Sequence, residues 1–127
     1  MLTITGFTIC FFTVLLTGLS LNISRLRMRY RTSYGHGDHR DLEVAVRAHG
    51  NCLEQTLLFV LLLAIAELLQ SPTHLLATLA VGFAAARSLH ATAVFTRQLL
   101  ARQIAHTISL LLQLACTGMI FWRLVAA

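Results

Sequence analysis

Four apolar runs separated by three polar breaks organise this chain. Residues 1–24 carry no charged side chain and predict a membrane helix over about residues 3–23. Arg25 follows that run instead of preceding it, the reverse of the charge order in a secretory leader. The second predicted helix covers about residues 41–69. Its uncharged part, Gln55–Ala66, is only twelve residues, too short to cross a bilayer alone. It crosses only if the polar residues upstream are held inside a bundle. "SPTH", Ser71–His74, makes the turn, and Pro72 suits the opening of a third helix over about residues 72–95. The fourth covers about residues 103–122, twenty residues without a charge, with Trp122 and Arg123 at an interfacial end. The expectation is one all-α integral membrane domain over residues 1–127, a bundle of four transmembrane helices.

Composition agrees with this. The chain is 57% hydrophobic and 12% charged, with a mean hydropathy of +0.73, where soluble domains carry about 25% charge. All ten basic residues are arginine, and six lie between Arg25 and Arg47. A basic cluster beside apolar spans marks a cytoplasmic membrane face rather than a nucleic-acid surface. The first loop, "RLRMRYRTSYGHGDHR", and the third, with Arg97 and Arg102, are therefore placed in the cytoplasm, and both termini outside. Gly35, Gly37 and Asp38 mark a turning first loop. Asp41 and Glu43 suit the start of the second helix by its dipole. Cys10, Cys52 and Cys116 lie in apolar segments with no CxxC spacing, so neither a disulfide framework nor a zinc site is expected.

The polar residues inside the spans carry the chemistry. Arg47, Asn51 and Glu54 fall within about 60° of one another on a helix. Such a stripe belongs on the bundle interior or in a wet cavity, with partners. Arg87 and His90 share a face of the third helix, and Glu54 is the expected partner of Arg87 across the bundle. A buried ion pair with no further role is the plain alternative, although the polar set is larger than one pair needs. His49, His90 and His106 lack the spacing of metal or haem ligands, and no metal is expected. His36 and His39 read as solvated loop residues, and Glu67 as an interfacial one. Arg25 and Arg29 share a face that could turn toward the bundle, or could hold lipid phosphate together with Arg27 and Arg31.

These residues carry a resemblance. Arg47-Ala48-His49-Gly50-Asn51-Cys52-Leu53-Glu54 resembles the RxxxNxxE signature of the MAPEG family, the membrane-associated proteins in eicosanoid and glutathione metabolism. "RLRMRY", Arg25–Tyr30, resembles the basic end of that family's first helix, and "ARSLH", Ala86–His90, its RxxH segment. The order and spacing match along almost the whole chain, most nearly those of short bacterial members. The resemblance implies a homotrimer that binds glutathione between neighbouring subunits near the cytoplasmic face. It implies a glutathione site of Arg25, Arg47, Asn51, Glu54, Arg87 and His90. In the family the helix-two carboxylate and amide receive the amino end of the tripeptide, and arginines hold its carboxylates, which suits bidentate pairing. A thiol needs a nearby cation to ionise at neutral pH. Arg102 is the candidate for that catalytic role, with Arg97 the alternative.

Two positions depart from the family pattern. Val94 stands where many enzymatic members carry a tyrosine, and Leu57 where a proline follows the glutamate. Binding is thus better supported than catalysis. The implied activity is a glutathione-dependent transferase or peroxidase acting on a lipophilic small molecule that arrives from the membrane lipid, in a bacterial inner membrane. The alternative is a MAPEG-fold protein without catalysis, which binds glutathione or only forms a bundle. A small multidrug transporter also has four helices, but such proteins need a carboxylate in the first helix, and this chain has none there.

Overall fold

The computed structural model describes residues 1–126. It contains α1 (Thr3–Tyr30), α2 (Arg40–Leu68), α3 (Thr73–Phe95) and α4 (Leu99–Val125). All four are long and apolar enough to cross a membrane. They run up and down with short connections. The helices α2 and α3 touch each other, and both touch α1 and α4, while α1 and α4 do not meet. One end of the bundle gathers the N-terminus, the α2–α3 turn and the end of α4. The other gathers the α1–α2 and α3–α4 loops, tied by an Arg97–Asp41 ion pair at 3.6 Å.

Two helices are longer than the apolar pattern predicts. The first continues past residue 23 to Tyr30, so Arg25, Arg27 and Arg29 lie on a helix rather than in a loop. The fourth opens at Leu99, which puts Arg102 in its first turn. Hydropathy marks where a helix leaves the hydrocarbon, not where its hydrogen bonds stop, and arginine is a good helix former. Each of α1, α2 and α3 is followed within two residues by a non-glycine residue with positive φ: Arg31 (51°), Gln70 (53°) and Arg97 (57°). The next amide reaches back to close the turn, as Thr32 N–H does to the Arg27 carbonyl at 3.1 Å. Arg27 also donates to the carbonyls of Ser33 and Gly35, at 3.1 and 3.0 Å. It organises the loop through Nη1. Arg25 and Arg29 are exposed and do not turn into the bundle.

In lipid, helices associate by packing rather than by escape from water, so close approach decides the fold. Small buried residues allow it: Ala45, Ala48, Cys52 and Ala66 on α2, Ala86, Ala91 and Ala93 on α3, and Ala105 on α4. Phe12, Phe59 and Phe83 fill the centre, with Phe59 and Phe83 stacked at 3.9 Å. Hydroxyls in the apolar zone bond back to their own helix, as Ser109 does to the Ala105 carbonyl at 2.9 Å.

Glu67 is more than an interfacial residue. Helix α1 has no side-chain cap of its own and no acidic residue in its first turn. Glu67, from the end of α2, accepts the backbone N–H groups of Ile4 and Thr5 at 2.9 Å each and the Thr5 hydroxyl at 2.7 Å. A carboxylate there meets both the unpaired amides and the positive end of the α1 dipole. Removing bonds to a charged acceptor costs about 2 kcal/mol. Glu67→Ala is therefore expected to lower the thermal midpoint in detergent. An unchanged midpoint would remove the cap from the list of stabilising contacts.

Candidate functional site

At the end that holds the first and third loops, α2, α3 and α4 diverge around a cleft of about 800 Å³. That volume suits a small-molecule site, which typically spans about 300–1,000 Å³. From α2 come Glu43, Arg47, Asn51 and Glu54, from α3 His90 and Val94, and from α4 Arg102, Gln103 and His106. The reason they converge is periodicity: Arg47, Asn51 and Glu54 recur on one face of α2, and Arg102 and His106 are four apart on α4.

Behind the cleft sits Arg87, with no solvent exposure at all. Its Nη2 donates to Asn51 Oδ1 at 2.7 Å and lies 3.3 Å from His90 Nδ1. A guanidinium can only donate. Nδ1 of His90 is therefore the acceptor, and the proton of its neutral ring sits on Nε2. Nε and Nη1 of Arg87 have no hydrogen-bond partner, and no carboxylate lies within 4.0 Å among the described residues. The expected Glu54–Arg87 pair is not formed. Asn51, one turn nearer the loop end on the same face, takes the guanidinium, and Glu54 is exposed on the cleft wall.

Of the sequence-derived candidates, Arg47, Asn51, Glu54, His90 and Arg102 line this one cleft. Arg87 reaches it only through Asn51 and His90. Arg25 is not part of it: its guanidinium bonds Asn22 Oδ1 at 2.9 Å on α1, the helix that never meets α4. The cleft lining carries four arginines, Arg40, Arg47, Arg97 and Arg102, against two glutamates, Glu43 and Glu54. Glu43 is already engaged by Arg47 at 2.9 Å. What remains is a surplus of cations, with Glu54 as the free anion. With its oxygen held by Arg87, Asn51 offers its NH2 group, a donor. Val94, the departure from the tyrosine pattern, lies on the cleft wall, so the α3 side presents no hydroxyl there.

The sequence passed over Gln103 and Arg40, and it weighed His106 only as a metal ligand. The i,i+4 spacing of Arg102 and His106 was the available signal. Among the described residues, no group of three His, Cys, Asp or Glu side chains is placed to hold a metal. A second groove, between α1 and α3, is lined by apolar and hydroxyl residues such as Phe7, Phe11 and Ser88 and carries nothing ionisable.

"Inner membrane protein YecN" of Escherichia coli strain K12 is 32% identical over 77 residues, as is its counterpart in strain CFT073 of serotype O6:H1. The matched stretch is 61% of this chain and 59% of each relative, less than two thirds of either length. The profile of the MAPEG family matches residues 5–122, nearly the whole bundle, and the chain belongs to that family.

Proposed function

We propose that this protein binds glutathione in the α2–α3–α4 cleft and uses its thiol against lipophilic electrophiles, as a membrane-bound transferase or peroxidase. One observation carries the proposal. Five residues selected from sequence, Arg47, Asn51, Glu54, His90 and Arg102, come from three helices and meet on one wall-to-wall cleft. Glutathione has two carboxylates, one ammonium, one thiol and two peptide groups. The surplus arginines suit its carboxylates by bidentate bonding. Glu54 suits the ammonium. The NH2 of Asn51 suits a carboxylate or peptide oxygen rather than the amino end, since Arg87 occupies its oxygen. Arg102 places a cation where it favours thiolate over thiol.

Arg25 lies outside the cleft of its own copy, so on this reading it would join the site from another copy of the chain. A homotrimer with the ligand between subunits supplies that arrangement, and native mass spectrometry in detergent tests it by the subunit count. Placement in an inner membrane is supported by the relative's name, and the positive-inside rule applied to the arginine-rich loops supports a cleft on the cytoplasmic side with both termini outside.

The protein reconstituted in lipid vesicles with glutathione and an apolar aryl halide is expected to form the thioether, read by mass spectrometry, above the uncatalysed rate. Saturable glutathione binding without conjugation or peroxide reduction would support a second reading, a ligand-binding relative without chemistry. Val94 on the cleft wall is the observation that favours it.

A further inference from the structure

An arginine can stabilise a thiolate, but it cannot take the thiol's proton. The cleft must therefore supply a separate acceptor or release the proton to water. Resting on the glutathione reading above, we propose that His106 is the proton acceptor for the bound thiol, with Nε2, the ring nitrogen that is not buried, receiving the proton as the S–H bond breaks and the electron pair stays on sulfur.

Three observations converge on His106. First, neither ring nitrogen makes a hydrogen bond within the chain among the described residues, and Nδ1 is buried without a partner. A histidine that serves only structure normally has at least one nitrogen engaged. Second, His106 lies on the cleft wall four residues after Arg102, so base and cation share one face of α4. A thiol lying between them gives up its proton to one and leaves its charge beside the other. Third, the competing groups are weaker acceptors. His90, with its ring centroid 6.1 Å from that of His106, spends Nδ1 as acceptor for Arg87, and protonating that nitrogen would break the contact. From α2, Glu43 is held by Arg47, and Glu54 is taken by the ammonium of the ligand on the reading above. Val94, on α3, offers no hydroxyl. The cations of the cleft, Arg40 and Arg47 on α2, Arg97 beyond α3 and Arg102 on α4, cannot accept a proton.

The proton need not be lost. Once the thiolate has formed its bond to the electrophile, the imidazolium can protonate the group that leaves, or the atom that receives the electron pair, and return to its neutral form.

The test counts protons. Glutathione is titrated calorimetrically into the wild-type protein near neutral pH, in buffers of different ionisation enthalpy, while ultraviolet absorbance reports thiolate. The expected result is thiolate formed with almost no proton released to buffer, because His106 holds it. In His106→Gln, binding is expected within a few fold of wild type. Thiolate should then appear only at higher pH and with about one proton released per thiolate formed. Wild-type thiolate accompanied by a full released proton would overturn the proposal, since water would be the acceptor. So would an unchanged thiolate–pH profile in His106→Gln, or binding with no thiolate in wild type, and each of these leaves glutathione binding intact. No binding at all would overturn both the glutathione reading and the role of His106. The wild-type proton count needs no variant to fold.

Discussion

Arg87→Met is expected to leave the ligand-free bundle as stable as wild type or more so, while weakening glutathione binding at least tenfold. The two effects oppose each other for a physical reason. Arg87 is fully buried in a membrane helix, with two unpartnered nitrogens and no carboxylate within 4.0 Å among the described residues. A charge in that position is costly. Replacing buried ionic groups by apolar ones of similar volume is often neutral, or stabilising by about 1–4 kcal/mol. Against that gain stands Asn51 Oδ1, which loses its donor at a cost of about 1–3 kcal/mol, so the sum stays near zero or above. The ligand site loses more. Arg87 fixes the amide orientation of Asn51 and the tautomer of His90, and both line the cleft. On the glutathione reading it acts as a positioning residue, and its charge serves an anionic ligand. A tenfold loss corresponds to about 1.4 kcal/mol, a modest demand for the disordering of two contacts. Thermal melts with and without glutathione check both halves. A variant that unfolds yet binds normally when folded would show that the arginine serves the bundle alone.

Arg102→Ala is expected to reduce turnover about a hundredfold while changing glutathione affinity only a few fold. Arg102 is exposed on the cleft wall in the first turn of α4, and no ion pair holds it among the described residues. It is free to face a developing thiolate. Removing one group aimed at developing charge costs about 2.7–4 kcal/mol in the transition state. The carboxylates of glutathione retain Arg47 and its neighbours, so ground-state binding persists. Steady-state rates with a lipophilic electrophile measure kcat, and calorimetry measures affinity. Equal losses in both would make Arg102 a carboxylate anchor instead, and Arg97, paired with Asp41 at 3.6 Å, would be the next residue to test.

The helices and most of the site were legible in the sequence for different reasons. Apolar runs fix spans, because hydrocarbon forces every backbone group into a helix. They do not fix helix ends, which is why α1 runs on through Arg29 and α4 begins before Gln103. The stripe Arg47–Asn51–Glu54 was legible because helical period alone puts those residues on one face. Which residue pairs with Arg87 was not, since that depends on the relative height of α2 and α3 in the packed bundle. A shift of one turn exchanges Glu54 for Asn51. The cap that Glu67 gives to α1 was hidden for a similar reason: it joins residues 62 and 63 positions apart. Val94 was named from the family pattern, and its place on the cleft wall gives that departure chemical meaning. The homotrimer and the thiol substrate rest on family membership and on the charge of the cleft.

The most direct measurement is a calorimetric titration of glutathione into the purified wild-type protein, with Glu54→Gln beside it. Among the described residues Glu54 is the one unengaged carboxylate of the cleft, and it is exposed, so its substitution leaves the core packing untouched. The account predicts saturable binding to wild type and a loss of about tenfold or more in Glu54→Gln, while S-methylglutathione, which keeps the ammonium and both carboxylates, still binds wild type. Absence of saturable binding to wild type, or identical binding by the two proteins, would contradict it.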